Sequence, residues 1–307
     1  MSALKRARDD KPAGAAAGGA GGPPPPAAAA AALDSRTSIK ATDVVDGTQL
    51  VRASGGGRLE VVRELLARGA NIEAAIDGGW TSLLMASQEG HLDVVRELLA
   101  RGANFEAVTD DGDTSLLLAS QERNLAIVRE LLARGANAEA RTIDGSTSLF
   151  VACQAGHLDV VRELLTGGAY AEAITNTGAT SLFIASRRGH LDVVRELLAR
   201  GANVEAVAIE GGTTSLHIAS LQGHLDVVRE LLARGASTEA ANWFGDTPLT
   251  ASSHVGHVEV VRALLAAGAD KRHAANNGET AASLAGFSIV APTGSRAVIL
   301  PLLAAAP

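Results

Sequence analysis

Apolar positions along this chain fall into two alternating arrangements, and one stretch shows both. Thr81 precedes a compact apolar run, Leu83-Leu84-Met85-Ala86. Its hydroxyl is placed to cap a short helix. Gly90 closes that helix, because glycine adopts the left-handed conformation at little cost. A second helix is predicted from Leu92 to Arg101, with Leu92, Val95, Leu98 and Leu99 at three-and-four spacing on one face. Glu97 and Arg101 stand four apart, acid first, the favourable order for a surface pair. Gly102 ends this helix, and Asn104 to Gly112 is predicted extended, turning at Asp111-Gly112. Helix, turn, helix and hairpin make one unit.

The unit recurs. Thr48, Thr81, Thr114, Thr147, Thr180, Thr214, Thr247 and Thr280 are spaced by 33 residues, with one interval of 34. The run His-Leu-Asp-Val-Val-Arg-Glu-Leu-Leu returns at His91–Leu99, His157–Leu165, His190–Leu198 and His224–Leu232. A unit this small cannot bury its apolar face alone and must stack on its neighbours, so the period predicts a solenoid. Near-identical copies also argue against an active site, since none of them forms a chemically distinct pocket.

Gly212-Thr213-Thr214-Ser215-Leu216-His217-Ile218-Ala219-Ser220 and Gly223-His224-Leu225-Asp226-Val227-Val228-Arg229-Glu230-Leu231-Leu232 resemble the two signature stretches of the ankyrin repeat, the first in altered form and the second closely. The resemblance spans about residues 46–290, four-fifths of the chain. It implies an all-α fold, an ankyrin-repeat solenoid of helix-turn-helix units with β-hairpin loops. Units start near Asp46, Gly79, Gly112, Gly145, Gly178, Gly212, Gly245 and Gly278, giving about seven repeats plus a C-terminal capping fragment within a domain of 46–307. The first unit reads as a cap, because Arg52 stands where later units hold Met85, Leu118, Val151, Ile184 and Ile218. At the other end Ala281-Ala282 replaces the usual Ser-Leu, and a Pro292–Gly294 loop precedes a last apolar helix.

The chain departs from the family pattern in several places. The proline after the threonine survives only at Pro248; Ser82, Ser115, Ser148, Ser181 and Ser215 replace it. Each loss is expected to cost a few tenths of a kcal/mol or more, roughly, because proline presets the first helical angle. The family histidine survives only at His217, while Leu84, Leu117, Phe150, Phe183 and Thr250 fill its slot, predicting apolar packing between units. Arg123-Asn124 replaces Gly-His, so Arg123 must take an unfavourable turn geometry or the turn must rearrange, with local fraying expected. Glu73, Glu106, Glu139, Glu172, Glu205 and Glu239 hold the place of the asparagine that many ankyrin proteins expose to hydroxylation, so that modification does not carry over.

Composition adds little to this picture. Hydrophobic residues are 47 % but aromatics only 3 %, which suits thin, closely packed helices. The formal charge of −7 argues against general nucleic-acid binding. No apolar run reaches the length of a membrane span, and no signal-peptide pattern is read in the N-terminal segment. Cys153 is the sole cysteine, which excludes an internal disulfide and points to a reducing, intracellular and cytoplasmic setting. Residues 1–45 read as a disordered low-complexity tail and linker, rich in Ala, Gly and Pro. Within it Lys5, Arg6 and Arg8 read as a short basic tail offset by Asp9 and Asp10; the alternative is a nuclear-import signal.

Candidate chemistry is thin. His91, His157, His190, His224 and His257 repeat in register and are expected to bond the preceding loop. His254, His257 and His273 lack the organised partners of a zinc site. There is no nucleophile elbow and no phosphate loop, and Cys153 fills a slot held elsewhere by Ser87, Ser120, Ser186 and Ser220. The Arg-Glu-Leu-Leu-Ala-Arg strip reads as a solvated charged face. No catalytic residue, metal ligand or cofactor is assigned, and no small-molecule, nucleic-acid or membrane partner is expected. By resemblance, hairpin tips and first helices line a concave face that contacts a protein partner. Among its residues, Trp80, Asp110, Asp111, Asp113, Arg187, Arg188, Trp243, Phe244 and Asp246 are the candidate contacts, because large or charge-bearing side chains anchor interfaces. The resulting reading is a non-enzymatic protein-binding scaffold. A nuclear cofactor or regulatory subunit is the alternative, and a fragment of a larger enzyme the weakest one.

Overall fold

The recurring threonines start the helices. In the computed structural model, which describes residues 47–287 and 294–304, Thr81 Oγ1 accepts the Leu84 N–H at 3.4 Å. Thr114, Thr147, Thr180, Thr214, Thr247 and Thr280 repeat this bond to the residue three further on at 3.2–3.3 Å. Each such bond satisfies one of the amides a helix start leaves orphaned. Glycines stop the same helices: Gly156, Gly189, Gly223 and Gly256 take left-handed caps. The tail and linker expected over 1–45 and the loop expected at Pro292 lie outside the described residues.

The described residues form two compact units, the first ending at Tyr170 and the second beginning at Ala171. In the first, helix pairs are α1 (Gly47–Gly55) with α2 (Leu59–Ala67), α3 (Ser82–Gln88) with α4 (Leu92–Ala100), α5 (Ser115–Gln121) with α6 (Leu125–Ala133), and α7 (Ser148–Ala155) with α8 (Leu158–Thr166). The second holds α9 (Ser181–Arg188) with α10 (Leu191–Ala199), α11 (Ser215–Gln222) with α12 (Leu225–Ala233), α13 (Pro248–Val255) with α14 (Val258–Ala266), and α15 (Ala281–Phe287) with α16 (Ser295–Ala304). Within each unit first helices pack on first helices and second on second, in chain order.

The core sits between the two helix rows. In α4, Val94, Val95, Leu98 and Leu99 are buried, whereas Leu92, expected on that face, is only half-buried. In α3 every residue from Ser82 to Ser87 is buried, and in α5 every residue from Ser115 to Ser120. Leu84, Leu117, Phe150 and Thr250 are buried in the slot of the missing histidine and Phe183 is half-buried there, as the apolar substitution implied for the leucines and phenylalanines. Arg52 is exposed on α1, consistent with an outer charge.

Hairpins are shorter than the sequence pattern suggests. Among the described residues, paired strands occur twice: β1 (Ala75–Ile76) with β2 (Trp80–Thr81), and β3 (Val207–Ala208) with β4 (Thr213–Thr214), both antiparallel. Single bridges join Val108 to Thr114 and Ala274 to Thr280. The turn at Arg123 does not rearrange. Arg123 takes φ 61°, the left-handed conformation its glycine counterparts adopt, and its Nε donates to both Asp159 carboxylate oxygens at 3.2 and 3.3 Å.

Candidate interaction surface

Most of the chemically suggestive residues hold repeats together. His91 Nε2 donates to the Gly55 carbonyl at 3.0 Å, His157 to Gln121, His224 to Arg187 and His257 to Leu221 at 3.0–3.1 Å. Each acceptor closes the first helix of the preceding repeat, so the ring satisfies a carbonyl that the helix end leaves free. Asn124, standing in for histidine, donates through Nδ2 to the carbonyls of Ser87 and Gln88 at 2.9 and 2.8 Å. The histidines therefore act as joints with the end of the preceding first helix. Among the described residues, no group of three or more His, Cys, Asp or Glu is arranged to hold a metal ion.

The repeated glutamates do the same work from the hairpin side. Glu73 Oε1 accepts the Asn104 N–H of the next repeat at 2.8 Å. Glu106, Glu139, Glu172, Glu205 and Glu239 accept the N–H groups of Asn137, Tyr170, Asn203, Ser237 and Asp270 at 2.7–3.0 Å. These are charge-assisted bonds and stronger than neutral ones.

The Arg-Glu-Leu-Leu-Ala-Arg strip is not merely solvated. Arg63 Nε reaches Glu97 at 3.0 Å, Arg96 reaches Glu130 at 3.0 Å, Arg129 reaches Glu163 at 2.8 Å and Arg195 reaches Glu230 at 3.0 Å. Arg101 and Arg134 approach Glu97 and Glu130 from one helical turn on. The receiving Glu97, Glu130 and Glu230 side chains are only 15–20 % exposed. The Arg101 and Arg63 guanidinium groups hold the Glu97 carboxyl below its ordinary range, and Arg96 and Arg134 do so for Glu130.

What remains after these joints is the row of tips. In the first unit Trp80 is half-buried in β2, while Asp110 and Asp111 are exposed. The Asp110 N–H donates to the Gly78 carbonyl at 2.9 Å, and the Asp111 carbonyl accepts the Ile143 N–H at 2.9 Å, tying successive tips together. Asp113 is half-buried and accepts the Thr109 hydroxyl at 3.1 Å. Burial, then the neighbouring Asp111 and Asp144 charges, push its carboxyl up. A groove of about 420 Å³ runs here, lined by Asp111, Asp113, Leu117, Ile143, Asp144 and Val151 among others.

In the second unit Arg188 is exposed at the end of α9 and Arg187 is half-buried beside it. Trp243 and Phe244 are exposed at a tip, as expected. Asp246 is not: it is 3 % exposed, its N–H donating to Asn242 Oδ1 at 2.9 Å and its carbonyl accepting the Asn242 N–H. The tip turn folds this residue inward, so it belongs to the turn and not to the exposed surface. Two exposed tip residues escaped the sequence reading, Ile143 at 71 % and Ile209 at 56 %. For Ile143, an apolar residue in a slot held by Asp110 in the second repeat was the available signal.

Two of these side chains lie close against main chain. A Cβ built on Gly178 would lie 2.4 Å from Ile209 Cγ1, and one built on Gly212 would lie 2.2 Å from Trp243 Cδ1. Only glycine lets each side chain lie across the preceding tip.

Stacked helix pairs joined by hydrogen-bonded tips define a tandem helical-repeat protein. A family profile described as ankyrin repeats, in three copies, matches residues 31–109, 50–142, 116–208, 149–242 and 216–291, and the chain belongs to the ankyrin-repeat family. Ankyrin repeats generally serve as protein–protein interaction modules and not as catalysts. No curated protein matches the chain. Among the described residues no helix is long and apolar enough to cross a membrane.

Proposed function

We propose that the chain is a non-catalytic scaffold that holds another protein against its tips and first helices, the concave side in this family. The observation that carries the reading is the set of exposed apolar tip residues, with Ile209 and Trp243 braced on the glycines of the preceding tips. A side chain already ordered before binding loses less entropy when a partner covers it. Exposed tryptophan beside phenylalanine is also the composition of an interface anchor. In the second unit Trp243 and Phe244 form the apolar part of the contact and Arg187 and Arg188 the basic part; in the first unit Trp80 supplies an aromatic contact and Asp110, Asp111 and Asp113 acidic ones.

The test begins with affinity capture by the full chain, followed by titration of the purified partner. Replacing Trp243 and Phe244 together by Ala is expected to weaken binding by about 2 kcal/mol or more, some thirtyfold. Arg187→Glu with Arg188→Glu is expected to weaken an acidic partner and leave the helix content unchanged. Equal binding by wild type and both variants would move the site away from this face.

A further inference from the structure

The outer ladder of ion pairs breaks inside the second unit. Arg63, Arg96, Arg129 and Arg195 each find a glutamate on the next repeat, 34 or 35 positions on. Arg229 occupies the same place on α12, but the residue 34 positions on is Ala263. The second arginine of the rung is missing too: Arg234 pairs with Glu230 one turn earlier, and its counterpart is Ala267. Arg229 is exposed and has no ion pair among the described residues.

The glutamate missing at Ala263 leaves a space. Between α12 and α14 lies a notch of about 400 Å³, lined by Arg229, Leu232, Glu259, Arg262, Ala263 and Ala266. Its rim carries two guanidinium groups against one carboxylate. Glu259 is drawn to Arg262 on its own helix, 3.4 Å away, so it does not take the place of the missing glutamate. Its floor is apolar. The chain as a whole is acidic at −7, but at physiological salt charges beyond about 8 Å are largely screened, so the local arginines dominate what the notch meets.

We propose that this notch docks a glutamate side chain from an acidic segment of another protein, completing the rung that Ala263 leaves open. The intact rungs supply the template: a carboxylate at the arginine Nε, on a glutamate side chain that is only partly exposed. An incoming glutamate would place its stem over Leu232 and Ala263 and its carboxylate on Arg229, within reach of Arg262. Guanidinium presents a planar fork that suits a carboxylate better than a lysine would. The site is built on second helices, so it is independent of the tip surface proposed above and gives the scaffold a second point of attachment.

The probe is a peptide of repeated Glu-Ala-Ala-Leu, titrated against the full chain by fluorescence anisotropy. Saturable binding is expected, weakening as salt rises from about 50 to 300 mM. Arg229→Ala is expected to weaken it about tenfold or more. Ala263→Glu supplies the missing rung from within. It is expected to weaken binding at least as much as Arg229→Ala while the melting temperature holds or rises, which separates blocked docking from misfolding. The Gln-Ala-Ala-Leu peptide is expected not to bind, and Trp243→Ala to bind the acidic peptide as wild type does. Undiminished binding by Ala263→Glu, equal binding of the glutamine peptide, or no binding of the acidic peptide at low salt would each overturn the proposal. Arg229-dependent capture on phosphatidylserine vesicles without peptide binding would overturn it in favour of a lipid headgroup.

Discussion

Ser115 shows how far one residue can be read. It fills the first position of α5, where the family carries proline, and its hydroxyl is buried without a hydrogen-bond partner among the described residues. Pro248 holds the same position of α13 in this chain, so the backbone there accepts the ring. Ser115→Pro is expected to stabilise the fold by about 0.5–1 kcal/mol, by presetting the angle and removing an unsatisfied hydroxyl. A lower urea midpoint would show that the serine N–H or hydroxyl supports the turn. His217 is the second case. It is fully buried, and that burial pushes its imidazole down to about 4. Its folded value lies below its unfolded one, so protonation favours unfolding. Stability is complete above about 6.5 and falls as pH drops toward about 4, by roughly 1 kcal/mol per pH unit. His257, also lowered by burial, acts in the same direction. The raised Asp246 carboxyl acts in the opposite sense, since it takes up its proton more readily when folded. His217→Leu, which copies Leu84 and Leu117, is expected to flatten most of this dependence in urea melts taken between pH 7 and about 4.5. An unchanged slope would assign the dependence to other groups.

At the scale of the element, contacts are local, and damage should be local too. Leu198 is buried in α10 of the second unit. Leu198→Ala is expected to cost about 2–5 kcal/mol, and amide exchange should accelerate most in the helix pairs beside it. Uniform acceleration throughout residues 171–304 would show that this unit opens only as a whole. The helix pairs were legible in the sequence because capping and apolar spacing act within a few residues: Thr81, Gly90 and Gly102 mark their own ends. The joints were less legible. That Arg63 reaches Glu97, and that Glu73 takes the amide of Asn104, depends on how one repeat lies on the next, which no local pattern encodes. In near-identical copies every register looks equally good on paper. Asp246 was misplaced for a related reason: an aspartate in a tip looks exposed until the turn folds it beneath Asn242. Ile143 and Ile209 are aliphatic, a type that reads as core wherever apolar residues recur, and only the folded tip exposes them.

At the scale of the whole molecule, the face assignment is testable only with a sound comparison on the opposite side. A charge reversal at Arg195 serves poorly, because Arg195→Glu would set a negative charge against Glu230 and disturb a joint. Arg195→Ala is the better comparison. It removes one arm of a half-exposed pair while Glu230 keeps Arg234, and is expected to leave partner affinity unchanged while Trp243→Ala lowers it. Loss from Arg195→Ala with none from Trp243→Ala would place the partner on the second helices. The joints themselves carry a further meaning. The histidines grip a carbonyl and the glutamates grip an amide, groups that every residue but proline carries. A repeat therefore need not know the identity of its neighbour in order to sit on it. Heredity can lengthen or shorten such an array by copying or losing one period, and each surviving joint still finds its mate. A chain lacking residues 79–111, one period of 33, brings Gly78 to Gly112 and should keep its helical content per residue; its length is a quantity that descent can edit, while its rule of assembly is not.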